Sequence, residues 1–290
     1  MTQVEPNAEG RELQDIFGLH GEALAVVDIG SNAIEGAPPY RPLVEWGLAH
    51  VTGFEPQSET VFERPGERHL PYAIGNGKSV TFRTCAHSGW SSTLKPDAST
   101  LAVFNQYAPG ARVTGEERMK TRRLDDIAEI ERIDMLKIDI QGGELAVFNH
   151  GKAKLADTVF VHTEVAFMPL YEGQPGFGEV DVALRKQGFV PHTFWEYKRA
   201  IVSPFRIGND PWQPIHQVLD GDIVYVRDFR KLEDLDLRQV KAMGLIAHLC
   251  YKSWDLAYFC VQHLQSRGEL PQGACERYLA VVNRVMAEGA

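Results

Sequence analysis

Ile133-Asp134-Met135-Leu136-Lys137-Ile138-Asp139-Ile140-Gln141-Gly142-Gly143-Glu144 is the stretch whose reading decides the fold. An apolar run rich in Ile, Leu and Met, just long enough for a strand buried on both faces, ends in an acid. Two glycines then allow a sharp turn into a helix that begins Glu144-Leu145-Ala146-Val147-Phe148. The same strand-then-acid pattern occurs twice upstream, at Ala25-Val26-Val27-Asp28-Ile29-Gly30-Ser31-Asn32 and at Val51-Thr52-Gly53-Phe54-Glu55-Pro56. Open α/β sheets bind ligands outside the carboxyl ends of their parallel strands. Three such ends in this order point to a nucleotide-type ligand bridging the sheet edge.

Outward from these segments the pattern predicts strands near 24–28, 50–54, 68–74, 133–139, 158–164, 189–197 and 221–227. Helices are expected near 11–19, 39–48, 56–62, 143–150 and 178–187. Alternating strands and helices imply a parallel sheet with right-handed crossovers. The interval 75–132 breaks the rhythm, with a strand expected at Val80–Cys85, a loop at 89–94 and a returning strand over Val113–Thr121. Connections this long are usually functional, so acceptor-binding elements are expected here. Beyond Leu232 apolar residues recur near helical spacing, at Leu235-Leu237-Val240-Met243-Leu245-Ile246-Leu249, Trp254-Ala257-Tyr258-Val261-Leu264 and Tyr278-Val281-Val282-Val285.

With 290 residues, 44% hydrophobic and 24% charged, the chain can bury a full core. A net charge of −9 and a pI near 5.6 work against a nucleic-acid groove, and the densest basic cluster, Lys120-Thr121-Arg122-Arg123, is short, so no nucleic-acid partner is expected. Four cysteines, Cys85, Cys250, Cys260 and Cys275, are widely spaced, which gives neither a disulfide framework nor a zinc knuckle. No apolar run reaches the ~20 residues that span a bilayer, and the polar N-terminus does not read as a secretory signal. A cytoplasmic protein without a membrane partner is the expectation.

The chain resembles the FkbM-type methyltransferases, a branch of the class I S-adenosylmethionine-dependent enzymes, from about Ala23 to Phe229. The resemblance rests on Val26-Val27-Asp28-Ile29-Gly30-Ser31-Asn32, Gly53-Phe54-Glu55-Pro56, Arg123-Leu124-Asp125-Asp126-Ile127, Leu136 through Leu145, and Glu164-Val165-Ala166-Phe167-Met168-Pro169-Leu170-Tyr171. It implies an α/β fold, a Rossmann-like class I methyltransferase sheet that is mostly parallel, with an inserted β/loop segment; the C-terminal helical tail expected from the apolar spacing lies outside the resemblance. The expected organisation is an N-terminal segment with a short helix (1–22), a methyltransferase domain (23–230, insertion about 76–121) and a helical extension (231–290). Cofactor binding is expected to be separable from that extension, which would serve as a cap, a docking piece or the interface of a homo-oligomer.

The cofactor implied is S-adenosyl-L-methionine. Asp28, Gly30, Ser31 and Asn32 form its first turn, and Glu55 before Pro56 grips the ribose hydroxyls, because one carboxylate accepts two hydroxyl protons. Ala73 and Ile74 line the adenine, and Asp139 and Gln141 complete the cofactor-binding set. The family usually has Gly where this chain has Ile34, and Glu where it has Gln141. Lys137 and Asp139 share one side of their strand. Lys137, Asp139 and Glu164 are the catalytic candidates, with Asp139 nearest proton removal, while neutralising a strand-end carboxylate is the favoured role for Lys137. His162 reads as a satisfied core histidine. His87, Trp90, Ser91 and Ser92 are the substrate-binding candidates.

No dense ligand cluster points to a metal, although Asp139 with Glu164 offers room for one Mg²⁺. The reaction implied is methyl transfer to a hydroxyl oxygen of a sugar, glycan or small polyol. The alternative is a non-catalytic methyltransferase-like scaffold acting through its helical tail.

Overall fold

The computed structural model describes residues 5–31, 36–56 and 61–288. Leu24–Ile29 (β1) and Ala49–Phe54 (β2) are the first parallel pair. Phe62–Arg64 (β3) and Glu67–Leu70 (β4) form an antiparallel hairpin at one edge. Met135–Ile138 (β7) and Phe160–Ala166 (β8) continue the parallel sheet on the other side of β1. Phe189–Ala200 (β9) and Gln217–Arg227 (β10) close the opposite edge as a long hairpin, with β10 antiparallel to β8. The order β3-β4-β2-β1-β7-β8-β10-β9, parallel except for β3 and β10, is that of a class I methyltransferase sheet. Ser79–Cys85 (β5) and Val113–Lys120 (β6) pair in a separate two-stranded sheet, the inserted segment, which also carries Ala98–Val103 (α3).

The central strands are largely apolar because both of their faces are covered, with Asp28, Lys137 and Glu164 toward their carboxyl ends. Val26, Val51, Met135, Phe160 and Val224 point to one side, and Val27, Ile29, Leu136, Ile138 and Ile223 to the other. Glu144–Asn149 (α4) and Phe177–Arg185 (α5) cover the second face with Val147, Phe148, Val180 and Leu184. The first face is covered by Ala8–Phe17 (α1), Arg41–Glu45 (α2) and the helices Leu237–Tyr251 (α6), Trp254–Ser266 (α7) and Ala274–Glu288 (α8). Residues beyond 231 thus supply most of one layer of the sheet sandwich. Asp236 caps α6 in a reciprocal pair with Gln239, and Arg238 on its first turn reaches back to the buried Asp134 at the start of β7.

Three expected elements differ. The helix near 39–48 is held to Arg41–Glu45, stopped by Gly47 at φ +71°. Of the helix near 56–62, residues 57–60 lie outside the described residues, and Phe62 begins a strand instead, since Pro65-Gly66 sets a turn that a helix cannot cross. The strand near 68–74 ends at Leu70, because Pro71 has no N–H for the ladder. Among the described residues no helix is long and apolar enough to cross a membrane.

Candidate functional site

The chain runs outward from β1 through β2 to β4, then returns to β7 on the other side of β1. That reversal opens a crevice at the carboxyl ends of the strands. A cleft of about 830 Å³ fills it, lined by residues from the ends of β1, β2, β4 and β7 and by the 88–94 loop. This volume suits a nucleotide-sized ligand with room for a second reactant.

The first turn is shaped by Gly30, whose φ is +84° and on which a Cβ would stand 1.8 Å from the carbonyl oxygen of Asp139. Only glycine lets the ends of β1 and β7 come this close. Gly30 N and Ser31 N both donate to Phe54 O, and Ser31 Oγ meets His69 Nδ1 at 2.9 Å. Tyr40, which sequence reasoning missed, donates its hydroxyl to Asp28 Oδ2 at 2.5 Å. Burial and the neighbouring carboxylate push that phenol well up, so it stays protonated. Lys137 Nζ stands 3.7 Å from Asp28 Oδ1, as expected for directly paired positions on adjacent strands. That Asp28 oxygen is buried and receives no hydrogen bond within the chain. A carboxylate oxygen on the cleft wall that accepts no hydrogen bond within the chain suits a cationic or amino-bearing ligand. Asn32 and Ile34 lie outside the described residues.

At the end of β2, Glu55 and Pro56 line the cleft, and the Glu55 amide donates to Leu70 O at 3.1 Å. Ala73, Ile74 and Gly75 follow on the same wall, where Arg122 N donates to Ala73 O and Gly75 N to Arg122 O, each at 2.8 Å. Tyr72 stacks on Phe54 with ring centroids 6.2 Å apart, and the Arg122 guanidinium lies 3.4 Å from the Tyr72 ring centre. A carboxylate beside a flat, partly apolar slot could hold a ribose diol and an adenine ring.

The opposite wall carries acids. Gln141 Nε2 donates to Asp139 Oδ1 at 2.8 Å and to Glu164 Oε2 at 3.0 Å, while Tyr171 Oη donates to Gln141 Oε1 at 2.9 Å. Ser92 Oγ donates to the Gln141 carbonyl at 2.7 Å, and Gln141 takes φ +57°, a conformation a non-glycine residue holds only when its surroundings impose it. Burial first, then the charges of Asp139 and Asp220, raise the Glu164 carboxyl well above its ordinary range. Burial pushes Asp220 up to about 6 despite Lys198, whose Nζ lies 3.6 Å away. Glu144 is pushed up to about 7 by burial, although its Oε1 accepts from Ile140 N and Gly142 N. Ligand atoms of Asp139, Glu144 and Glu164 lie within 4.8 Å of one another, the group among the described residues that could hold a cation. Glu144 is committed to the backbone, and the Gln141 amide lies between the other two.

The structure therefore brings Asp28, Gly30, Ser31, Glu55, Pro56, Ala73, Ile74, Lys137, Asp139 and Gln141 to one cleft, with Glu164 bonded to Gln141 behind its wall. Ser91 lines the cleft, whereas His87, Trp90 and Ser92 do not. His87 accepts from Gly89 N, and Trp90 packs against Tyr107 and Tyr171 at 5.8 Å in a small core under the inserted segment. His162, Trp195, Lys198 and Asp222 also line the cleft. They come from three strands with no local motif, and only the placement of His162 two residues before Glu164 could have signalled one of them.

A protein from Sinorhizobium fredii, the 2-O-methyltransferase NoeI, is 44% identical over 66 residues, which is 22% of this chain and 27% of NoeI. The chain's match thus spans about a quarter of that relative's length. The magnesium protoporphyrin IX methyltransferase ChlM of Synechocystis PCC 6803, solved with bound SAM, superposes with a TM-score of 0.34 at 13% identity, over 76% of this chain and 77% of that one. A putative tRNA (m1A22) methyltransferase of Streptococcus pneumoniae gives 0.32 at 14% identity, over 96% of each chain. Scores this low carry no weight beside the strand order itself. The profile of the methyltransferase FkbM domain matches residues 28–191, more than half of the chain, from the acid of β1 to the start of β9. The protein belongs to that family, the methyltransferase FkbM domain family.

Proposed function

We propose that the chain methylates a hydroxyl oxygen, on a sugar, glycan or small polyol. The observation that carries this reading is the Asp139–Gln141–Glu164 cluster at the end of β7, directly across the Gly30 turn. NoeI being a 2-O-methyltransferase supports oxygen as the receiving atom. When bound, S-adenosylmethionine supplies a methyl group on a cationic sulfur, already reactive toward an oxygen nucleophile. The chain then has two tasks, alignment for in-line attack and removal of the hydroxyl proton as the oxygen–carbon bond forms. Glu55 holds the ribose, and Tyr72, Ala73 and Ile74 hold the adenine. Asp28, held in place by Tyr40 and beside Lys137, offers its Oδ1 to the amino-acid part. Lys137 is thereby a charge partner rather than a base. Asp139 accepts the proton, while Glu164, whose carboxyl burial raises well above its ordinary range, supports it through Gln141.

The scaffold alternative draws little support, since α6 to α8 are committed to the sheet's core. Calorimetry with S-adenosylhomocysteine should give a single saturable site. Incubation with methyl-¹³C cofactor and a panel of methyl glycosides and polyols should yield a new O-methyl carbon resonance. No heat with S-adenosylhomocysteine, or methyl transfer confined to nitrogen or carbon acceptors, would overturn the proposal.

A further inference from the structure

The strand β9 carries an extra residue at the cleft. Opposite β10, Glu196 pairs with Asp222 and Phe194 with Ile223, so Trp195 has no partner across the ladder. In a regular strand successive side chains face opposite sides, and neighbours cannot share a wall. Here Trp195 and Glu196 both line the cleft, together with Lys198. A bulge does this: it re-aims one side chain, and bulges recur beside active sites. Gly221 on β10 accommodates the distortion, since a Cβ there would stand 2.6 Å from Glu196 O.

The indole so aimed is braced edge-on by His162 and Tyr251, each with ring centroids 5.8 Å away, yet Trp195 remains 48% exposed. A large apolar surface held rigid and half open in a polar cleft is unexplained by core packing. Around it stand Glu196, Lys198 and Asp222, groups that accept from or donate to hydroxyls. Burial opposes ionisation of Asp222, but His162, Lys137 and Lys198 hold its carboxyl below the usual range, so it remains an acceptor.

We infer that Trp195 is the stacking platform for a sugar ring of the acceptor, with Glu196, Lys198 and Asp222 meeting its hydroxyls. A pyranose has one face of C–H groups and a rim of hydroxyls, which matches an indole face ringed by polar side chains. An aliphatic acceptor would make no use of those polar groups, and a nucleobase would need no such rim. This inference rests on the hydroxyl-methylation reading and narrows its acceptor to a saccharide.

The test uses the full chain saturated with S-adenosylhomocysteine and a panel of methyl glycosides of hexoses, 6-deoxyhexoses and pentoses. Saturation-transfer NMR should show binding of at least one glycoside, with the strongest transfer to the C–H protons of one ring face. Trp195→Ala should weaken that binding at least tenfold, and Trp195→Phe should restore it to within a few-fold, with S-adenosylhomocysteine affinity unchanged in both. Undiminished glycoside binding by Trp195→Ala, or no glycoside binding by a wild-type chain that does bind S-adenosylhomocysteine, overturns the saccharide platform and leaves methyl transfer standing. Failure of the wild type to bind S-adenosylhomocysteine overturns both.

Discussion

Gln141 donates its side-chain amide to Glu164 Oε2 across 3.0 Å, and its Nε2 also meets Asp139 Oδ1. Two carboxylates this close repel, and a neutral residue with two N–H donors satisfies both at once. Where the family usually has Glu, a third carboxylate would have no proton to offer. Gln141→Glu should therefore lower stability by about 1–3 kcal/mol, the scale of a buried polar group left unpaired. The penalty should be greater at pH 8 than at pH 5, because the new acid must ionise beside the others. Equal urea midpoints for variant and wild type at both pH values would contradict this account of the bridge.

Glu55→Ala removes two charge-assisted hydrogen bonds proposed to the ribose, each worth ~1.5–3 kcal/mol. Cofactor affinity should fall at least tenfold by calorimetry. An unchanged dissociation constant would move the ribose site elsewhere.

Asp139→Asn keeps an acceptor oxygen and the Gly30 contact but cannot take a proton. Turnover should fall ~10²–10⁴-fold with cofactor affinity little altered. Near-wild-type turnover would transfer the role to Glu164, and Glu164→Gln would then show the larger loss.

Asp220 carries a pH signature of its own. Its carboxyl is raised from 3.8 to about 6 in the fold, burial being the first cause. The folded form then binds more protons than the unfolded form, so this group's contribution is fully present below pH 3.8 and is lost as pH rises to about 6. Asp220→Asn removes that loss. Its midpoint should rise relative to wild type between pH 4 and pH 6 and run parallel above. Thermal melts across that range check the sign, and a gap that narrows with rising pH would be the wrong one.

A chain ending at Arg230 should fail to fold. Val240, Met243, Leu245 and Ile246 alone, all buried in the core on that side of the sheet, stand for ~1.5–3 kcal/mol each, comparable with the whole stability of a domain. The buried Asp134 would also lose Arg238. A soluble truncated chain with intact cofactor affinity would instead make residues 231–290 a separate unit.

The side of the cleft built by β1, β2 and β7 was legible because its residues sit at the ends of strands buried on both faces, where apolar runs break on an acid. Asp28, Glu55 and Asp139 announce themselves that way. The side built by β9 and β10 was not. Asp222 and Trp195 come from that hairpin, and which of its side chains face the cleft depends on a register skip that only the partner strand defines. Trp90 reads as a cleft residue by its small polar neighbours, yet those neighbours reach the cleft while the ring turns into the core beneath. The helical tail was legible as helices, but periodicity names an apolar face without naming what covers it.

That covering layer has a consequence for synthesis. β1 and β2 emerge from the ribosome early, while the helices that seal one of their faces span residues 237–288. Arg238 and Asp134 are 104 residues apart in sequence, so closure relies on distant rather than local contacts. Until α6 docks, α1 and α2 cover only part of the face that holds Val26, Val51 and Met135, and the rest is the kind of surface that chaperones hold and that aggregates when they are scarce. Expression yield should accordingly depend on chaperone supply more steeply than the finished protein's stability would suggest.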